Sequence, residues 1–202
     1  MPHYTLSYFD FNGGRGEDCR LALHAAGVAF TDNRIKGPQW PEMKASTPWG
    51  ALPVLDVDGQ KIGQSNAILT FIGRSTGQHP ADPWQTARHE AIMAACEELR
   101  HDVENVMGEK DPDKRKAARE EMAAGLLQRY AARFEAQIGD GPFIGGESMN
   151  VADLKLFVVM RWLRGGVIDH VPTTVLDGYK KLQALFDAVQ AHPAAVDWYA
   201  SH

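Results

Sequence analysis

The chain has 202 residues and a formal net charge of -5, so it is long enough for one large or two small domains and carries no basic excess of the kind that binds nucleic acid. No apolar run approaches the ~20 residues that span a bilayer, and the first residues show no charged segment followed by an apolar one. Its two cysteines form no C-x-x-C pair, and its eight histidines form no H-x-x-x-H pair. We therefore expect a cytoplasmic protein that binds neither membrane nor nucleic acid and holds no metal.

The first third of the chain alternates between strand and helix patterns. Period-2 alternation predicts a strand over Tyr4 to Phe9, a helix follows over 17–26, and a second strand lies within 28–35. Such a strand–helix–strand unit implies parallel pairing with a right-handed crossover. A short helical or irregular segment is expected at 40–44.

A hairpin and a helix come next. Asp58-Gly59 stands between the β-prone runs 52–57 and 60–62, and it predicts a hairpin because both turn residues need positive φ. Gln64-Ser65-Asn66 then opens a helix that runs to about Thr76. Residues 77–83 contain two prolines and a glycine without periodicity, which is typical of a linker.

Beyond this linker nearly every segment reads as helix. The periodic segments are 84–108, 111–138, 150–165, 174–191 and a short C-terminal stretch. The third of these is apolar on almost all sides, which predicts a buried helix. The chain is thus predicted to be a small α/β domain followed by an all-α domain.

Tyr8 is the first candidate for chemistry. It lies at the end of the first predicted strand, next to the glycine-rich turn Gly13-Gly14-Arg15-Gly16 and a helix N-terminus. A hydroxyl there can donate a hydrogen bond to an anion such as a thiolate, and Arg15 would raise the local potential in favour of that anion. The alternative is a half-buried strand aromatic, since aromatic residues are common in strands.

A second group of residues fits an anion and peptide site. Ser65 begins a helix, whose free N–H groups and dipole attract a carboxylate, although a serine there can also serve only as an N-cap. Gln64 beside it can bond an amide or an amine. If the Leu52–Pro53 bond is cis, the backbone of Leu52 can pair with an extended peptide; otherwise Pro53 simply starts a strand.

Trp40 and Lys44 complete this group. They are four residues apart and can share one helical face, and Lys44 can neutralise a ligand carboxylate. Both can equally be surface residues without a ligand.

The order and spacing of these motifs resemble those of the sigma-class glutathione transferases, the family that includes haematopoietic prostaglandin D synthase. The motifs are Tyr8-Phe9, Arg15-Gly16-Glu17-x-x-Arg20, Trp40-x-x-x-Lys44, Pro48-Trp49-Gly50-Ala51-Leu52-Pro53-Val54-Leu55 and Gln64-Ser65-x-Ala67-Ile68. In the second half, Asn150 and Asp153 match the family's buried helix start, as N-cap and as the residue that reaches back to its backbone N–H. The resemblance covers almost the whole chain.

The resemblance implies a thioredoxin-like domain over 1–77, an all-helical domain over 84–202, a homodimer, and glutathione as co-substrate. Tyr8 would donate to the glutathione sulfur, and Arg15 would assist at the same centre. The implied glutathione-binding residues are Trp40, Lys44, Leu52, Pro53, Gln64 and Ser65. An acidic residue of the partner subunit contacts the γ-glutamyl amine in this family, a role that falls on Glu98, with Glu97 beside it.

The resemblance is weakest around the predicted second-substrate pocket. The turn from Phe11 to Arg15 is one residue longer than usual, and Ala51 replaces a lysine or glutamine common in the family. Ala94 replaces a carboxylate of the family's divalent-cation site, and so we again predict no metal. A small hydrophobic electrophile is expected between the domains, with Phe9, Phe11 and Met107 as lining residues and Trp162 assigned to core packing.

Three functions are compatible with these residues. The first is glutathione conjugation of electrophiles, with peroxidase or isomerase side activity. The second is a glutathione-dependent thiol transferase or lyase that uses Cys19, because a helix N-terminus can lower a thiol pKa. The third is a binding protein without turnover, against which the joint presence of Tyr8, Gln64 and Ser65 argues.

Overall fold

The computed structural model describes residues 2–202, and its first part is a four-stranded sheet with helices packed against it. The strands are β1 (Tyr4–Phe9), β2 (Phe30–Ile35), β3 (Val54–Val57) and β4 (Gln60–Gly63). Their order is β2-β1-β3-β4, with β1 and β2 parallel and the other pairs antiparallel. The predicted strand–helix–strand unit and the hairpin are therefore both confirmed.

Helices make up most of the rest of the described chain. They are α1 (Gly14–Ala25), α2 (Trp40–Met43), α3 (Ser65–Thr76), α4 (Pro83–Met107), α5 (Pro112–Ala124), α6 (Leu126–Gln137), α7 (Val151–Arg164), α8 (Lys180–Ala191) and α9 (Pro193–Ser201). Short 3-10 turns flank α2 at Gly37–Gln39 and Lys44–Ser46. No helix within residues 2–202 is both long and apolar enough to cross a membrane.

The predicted segments 111–138 and 174–191 need correction. The first is two helices, α5 and α6, which meet at Gly125 with φ -115° and ψ -75°. Glycine is unfavourable inside a helix because ordering its backbone costs more entropy, and it has no side chain to pack. The helix therefore ends at this residue. The second begins only at Lys180, because 174–179 forms hydrogen-bonded turns, such as Val175 N–H to Pro172 O at 3.0 Å.

The central helix of the fold is α7, as its all-round apolar pattern predicted. All but three of its residues are buried, and it packs against α1, α3, α4 and α8. At its start the Asn150 N–H donates to Asp153 Oδ2 at 2.8 Å, as expected, and Asp153 Oδ1 also accepts from the Ile144 N–H at 2.8 Å. Since α7 contacts helices of both parts of the chain, it joins the sheet region to the helical region, and a cleft lies along this junction.

Candidate active site

Tyr8 is the second-last residue of β1, close to the turn that leads into α1. Its side chain is only 6% exposed, and its ring lies so close to Gly16 that a Cβ on Gly16 would overlap it. A Cβ on Gly14 would lie 2.7 Å from the hydroxyl, which places that oxygen beside the first turn of α1. Burial raises the pKa of Tyr8, while the nearby charge of Arg15 opposes this, so the phenol is a neutral donor at pH 7.

Arg15 lines the same cleft as Tyr8, but its charge is already paired. Its Nε donates to Glu97 Oε2 at 2.6 Å, and its Nη1 donates to Glu104 Oε1 at 2.8 Å. Both acids belong to α4, so the guanidinium bridges the sheet region and the helical region. The structure therefore brings Tyr8 and Arg15 into one cleft, with Arg15 held by two carboxylates.

Behind Arg15 lies a buried ion cluster that sequence reasoning missed. The fully buried Lys155 of α7 donates to Glu97 Oε1 at 2.5 Å and to Asp18 Oδ2 at 3.2 Å. Arg100 donates to both oxygens of Asp18, at 2.6 and 2.7 Å. A buried charge is stable only when it is paired. The available signal was a lysine within the apolar run Leu154–Met160.

Glu97 takes its charge state from this cluster. Burial by itself raises the pKa of Glu97, but the ammonium of Lys155, with Arg100 and Arg15, lowers it to about 2. The carboxylate is therefore ionised at neutral pH. It links Arg15, on one side, to Ser65, whose hydroxyl donates to Glu97 Oε1 at 3.2 Å.

Ser65 and Gln64 occupy the start of α3. Ser65 is its first helical residue, so Gln64 rather than Ser65 is the N-cap, and the Ser65 Oγ accepts from Lys155 Nζ at 3.2 Å. Gln64 has φ 70° and ψ 116°, a left-handed conformation that is costly for a residue with a Cβ and that clusters at functional sites. The exposed Gln64 side chain thus stands beside the free N–H groups of the α3 N-terminus.

The remaining predicted glutathione contacts lie on the segment between β2 and β3. The Leu52–Pro53 bond is cis, a state that the sequence left open. Trp40 packs edge-on against Phe9 with ring centroids 5.6 Å apart, and the stem of the exposed Lys44 runs past Gly50.

Glu98 lies outside this constellation. Its side chain is exposed on α4 and does not line the cleft within residues 2–202. The role of Glu98 in binding the γ-glutamyl amine, like the roles of the other predicted site residues, stays a prediction.

The cleft between the two parts of the chain has a volume of about 720 Å³, within the range of small-molecule sites. Its walls come from the β1–α1 turn, α4, α7 and α9, and its larger apolar side chains are Tyr8, Phe11, Val158, Trp162, Val167 and Tyr199. Of the residues predicted for the second substrate, Phe11 lines this cleft. Phe9 packs against Trp40 instead, Met107 packs against the hydrophobic core, and Trp162, assigned to the core, also lines the cleft.

Cys19 lies on the inner face of α1, away from solvent. Its side chain is fully buried, and its thiol donates to the Arg15 carbonyl oxygen at 3.4 Å. Burial raises the pKa of this thiol, with the charge of Asp18 acting in the same direction. A protonated and inaccessible thiol is a poor nucleophile.

Known proteins resemble this chain over most of its length. Residues 4–74 match the family model of the glutathione S-transferase N-terminal domain, and residues 97–202 match that of the C-terminal domain. Glutathione S-transferase 1 of Ascaris suum is 32% identical over 210 residues, covering 99% of this chain and 97% of the relative. Hematopoietic prostaglandin D synthase of Gallus gallus is 31% identical over 198 residues, covering 98% and 96%. The structure of prostaglandin synthase D of Nilaparvata lugens superposes with a TM-score of 0.88 at 27% identity, covering 100% and 98%.

Proposed function

Because the chain belongs to the glutathione S-transferase family, we propose that it is a sigma-class enzyme that conjugates glutathione to small hydrophobic electrophiles, with Tyr8 as the donor that stabilises the thiolate. The observation that carries this proposal is the position of Tyr8. Its protonated hydroxyl lies at the N-terminus of α1 and at the wall of a 720 Å³ cleft with apolar sides. Both substrates of a conjugation would meet there.

A hydrogen bond from Tyr8 would be strong enough to bring the pKa of the glutathione thiol close to neutral. A free thiol has a pKa of about 8.5, and one pKa unit corresponds to about 1.36 kcal/mol. A hydrogen bond to a charged group contributes about 1.5–3 kcal/mol, so Tyr8 would lower the thiol pKa by about one to two units and make the thiolate abundant near neutral pH. The thiol proton leaves to solvent, the sulfur forms a bond to the electrophilic carbon, and the leaving group departs with its bonding electrons.

The tripeptide would lie next to Tyr8, at the end of the sheet where β1 leads into α1. The backbone of Leu52, before the buried Pro53, would pair with the extended peptide. Its γ-glutamyl carboxylate would bind the N–H groups at the start of α3, beside Gln64 and Ser65. Trp40 and Lys44 would contact the glycyl end, where Lys44 supplies an exposed positive charge.

Further parts of the proposal concern assembly. The chain would form a cytoplasmic homodimer, with domains at 1–77 and 84–202. Glu98 is exposed in one chain, so Glu98 of the partner subunit would be free to meet the γ-glutamyl amine. Peroxidase or isomerase activity would use the same thiolate.

Conjugation of glutathione to chlorodinitrobenzene tests the proposal. We expect wild type to be active and Tyr8→Phe to lose about 10- to 100-fold in kcat/KM at neutral pH, with its pH profile displaced upward. Tyr4→Phe is the matched control, since Tyr4 lies on the same strand but packs against the core. Coincident profiles for wild type and Tyr8→Phe contradict the donor assignment.

A Cys19→Ser variant separates the alternative chemistry. The conjugation proposal expects its rate to stay close to that of wild type, because the thiol is buried. A protein that loses activity with Cys19→Ser but not with Tyr8→Phe would instead be a Cys19-dependent thiol transferase or lyase.

A further inference from the structure

The charges that line the cleft are not equivalent. The charged side chains in its wall are Arg15, Glu17, Arg100, Glu104 and Arg161. Arg15 is paired with Glu97 and Glu104, and Arg100 is paired with Asp18 and Glu97. These two guanidinium groups are therefore engaged before any ligand enters.

Glu17 is also engaged. Its Oε1 accepts a hydrogen bond from Trp198 Nε1 at 2.7 Å, and its Oε2 lies 3.5 Å from Arg20 Nη1. Glu104 is paired with Arg15, so each of these two glutamates has a cationic partner. Arg161 is the remaining charged side chain among those named for the wall.

Arg161 differs from the other charged side chains of the wall because it has no ionic partner within residues 2–202. Within residues 2–202 no carboxylate lies within ion-pair distance of its guanidinium, whose Cζ is 4.2 Å from the ring centroid of Tyr199. Stacking on an aromatic face orients a guanidinium while leaving its N–H groups free. The side chain is exposed at the cleft, so an entering ligand can reach it.

Apolar side chains surround this charge. Val158 lies one turn earlier on α7, Trp162 follows Arg161, and Tyr199 lies beneath it, all in the wall of the same cleft as Tyr8. A ligand that fills this space presents apolar surface to the wall and can present an acceptor to Arg161. A carboxylate suits a guanidinium best, because two parallel N–H···O bonds can form.

We propose that the second substrate is an electrophile that bears an anionic group, a carboxylate on an apolar frame, and that Arg161 binds this group. The inference rests on the proposed function for its reaction and on the cleft for its chemistry. It narrows the substrate from any hydrophobic electrophile to an organic acid with an electrophilic carbon.

A pair of probes that differ only in charge tests the inference. Chlorodinitrobenzoate and its methyl ester both lose chloride to glutathione, and their two aryl-glutathione conjugates differ in one carboxylate. Calorimetry gives the Kd of each conjugate, and steady-state rates give the turnover of each electrophile. The variants are Arg161→Gln, Arg161→Lys and the control Arg133→Gln, since Arg133 also lies over a tyrosine ring, 5.9 Å from Tyr130, but outside the cleft.

We expect Arg161→Gln to weaken the carboxylate conjugate about fivefold, the scale of one exposed ion pair, and to leave the ester conjugate nearly unchanged. Arg161→Lys should retain part of the preference, and Arg133→Gln should retain all of it. Added salt should reduce the difference in wild type, because exposed charges are screened.

Two results overturn the inference: equal weakening of both conjugates by Arg161→Gln, and no weakening of either. If the ester is still turned over in those cases, the transferase proposal stands and only the anion site fails. If Arg161→Gln weakens the carboxylate conjugate alone while neither electrophile is turned over by wild type, the anion site stands and the conjugating activity fails.

Discussion

The two walls of the cleft are built in different ways. The wall from β1 and α1 carries Tyr8 and Arg15, which are held by close glycines and by carboxylates of α4. The wall from α7 and α9 carries Arg161 and Trp162, which are more exposed, and Arg161 has no ionic partner within residues 2–202. The fixed wall suits chemistry, because a donor must be positioned in advance. The open wall suits recognition, because its side chains meet whatever enters.

The largest expected effect concerns the buried ions behind the fixed wall. Lys155→Met removes a fully buried cation and leaves Glu97 and Asp18 short of a partner. We expect a loss of about 3–5 kcal/mol in the free energy of unfolding, measured by urea denaturation. Lys114→Met, on the exposed surface of α5, is the control and should change the free energy of unfolding little. A small effect of Lys155→Met would mean that the cluster does not hold the wall.

The same cluster predicts a pH dependence. The folded-state pKa of Glu97 is about 2, below its unfolded value of about 4.3, so its stabilisation is present above about pH 4.3 and is lost as pH falls towards 2. Wild type should exceed Glu97→Gln by about 3 kcal/mol in free energy of unfolding at neutral pH, and the gap should close in acid. Denaturation at several pH values measures it; a gap that is constant with pH contradicts the assignment.

Two substitutions test whether a residue contacts the second substrate in the cleft or only packs against the core. Trp162→Ala should raise KM for chlorodinitrobenzene several-fold, because it removes apolar surface from the cleft. Met107→Ala should leave this KM nearly unchanged, because Met107 packs against the core. Thermal melts of both variants separate binding from stability. If the KM values respond in the opposite order, the second substrate lies nearer to the Met107 position than to the cleft.

The smallest expected effect is at Lys44, beyond both walls. Its side chain is exposed, so an ion pair with the glycyl carboxylate of glutathione would contribute up to about 1 kcal/mol. Lys44→Met should therefore raise KM for glutathione by up to about fivefold without changing KM for the electrophile. Lys61→Met, exposed on β4, is the matched control. An unchanged KM for glutathione would remove Lys44 from the site.

Much of the fold that carries the two walls could be predicted from local sequence. The alternation of β1, the Asp58-Gly59 turn and the apolar run of α7 depend on neighbours along the chain, and all three elements formed as predicted. The long segment 111–138 was predicted as one helix because its periodicity hardly changes at Gly125, where the structure divides it. A local sequence pattern indicates a preference for helix, but it does not show every residue at which tertiary packing ends a helix.

The sequence by itself determined the order of the elements, the type of the sheet unit and the candidate residues Tyr8, Gln64 and Ser65, because turn chemistry and periodicity act over a few positions. Only the tertiary structure decided that Lys155 meets Glu97 and Asp18, and that Arg161 remains unpaired in the cleft within residues 2–202. Those ion pairs join positions far apart in the chain, and whether a charge is paired depends on which helices pack together. Spacing along one sequence does not contain that information.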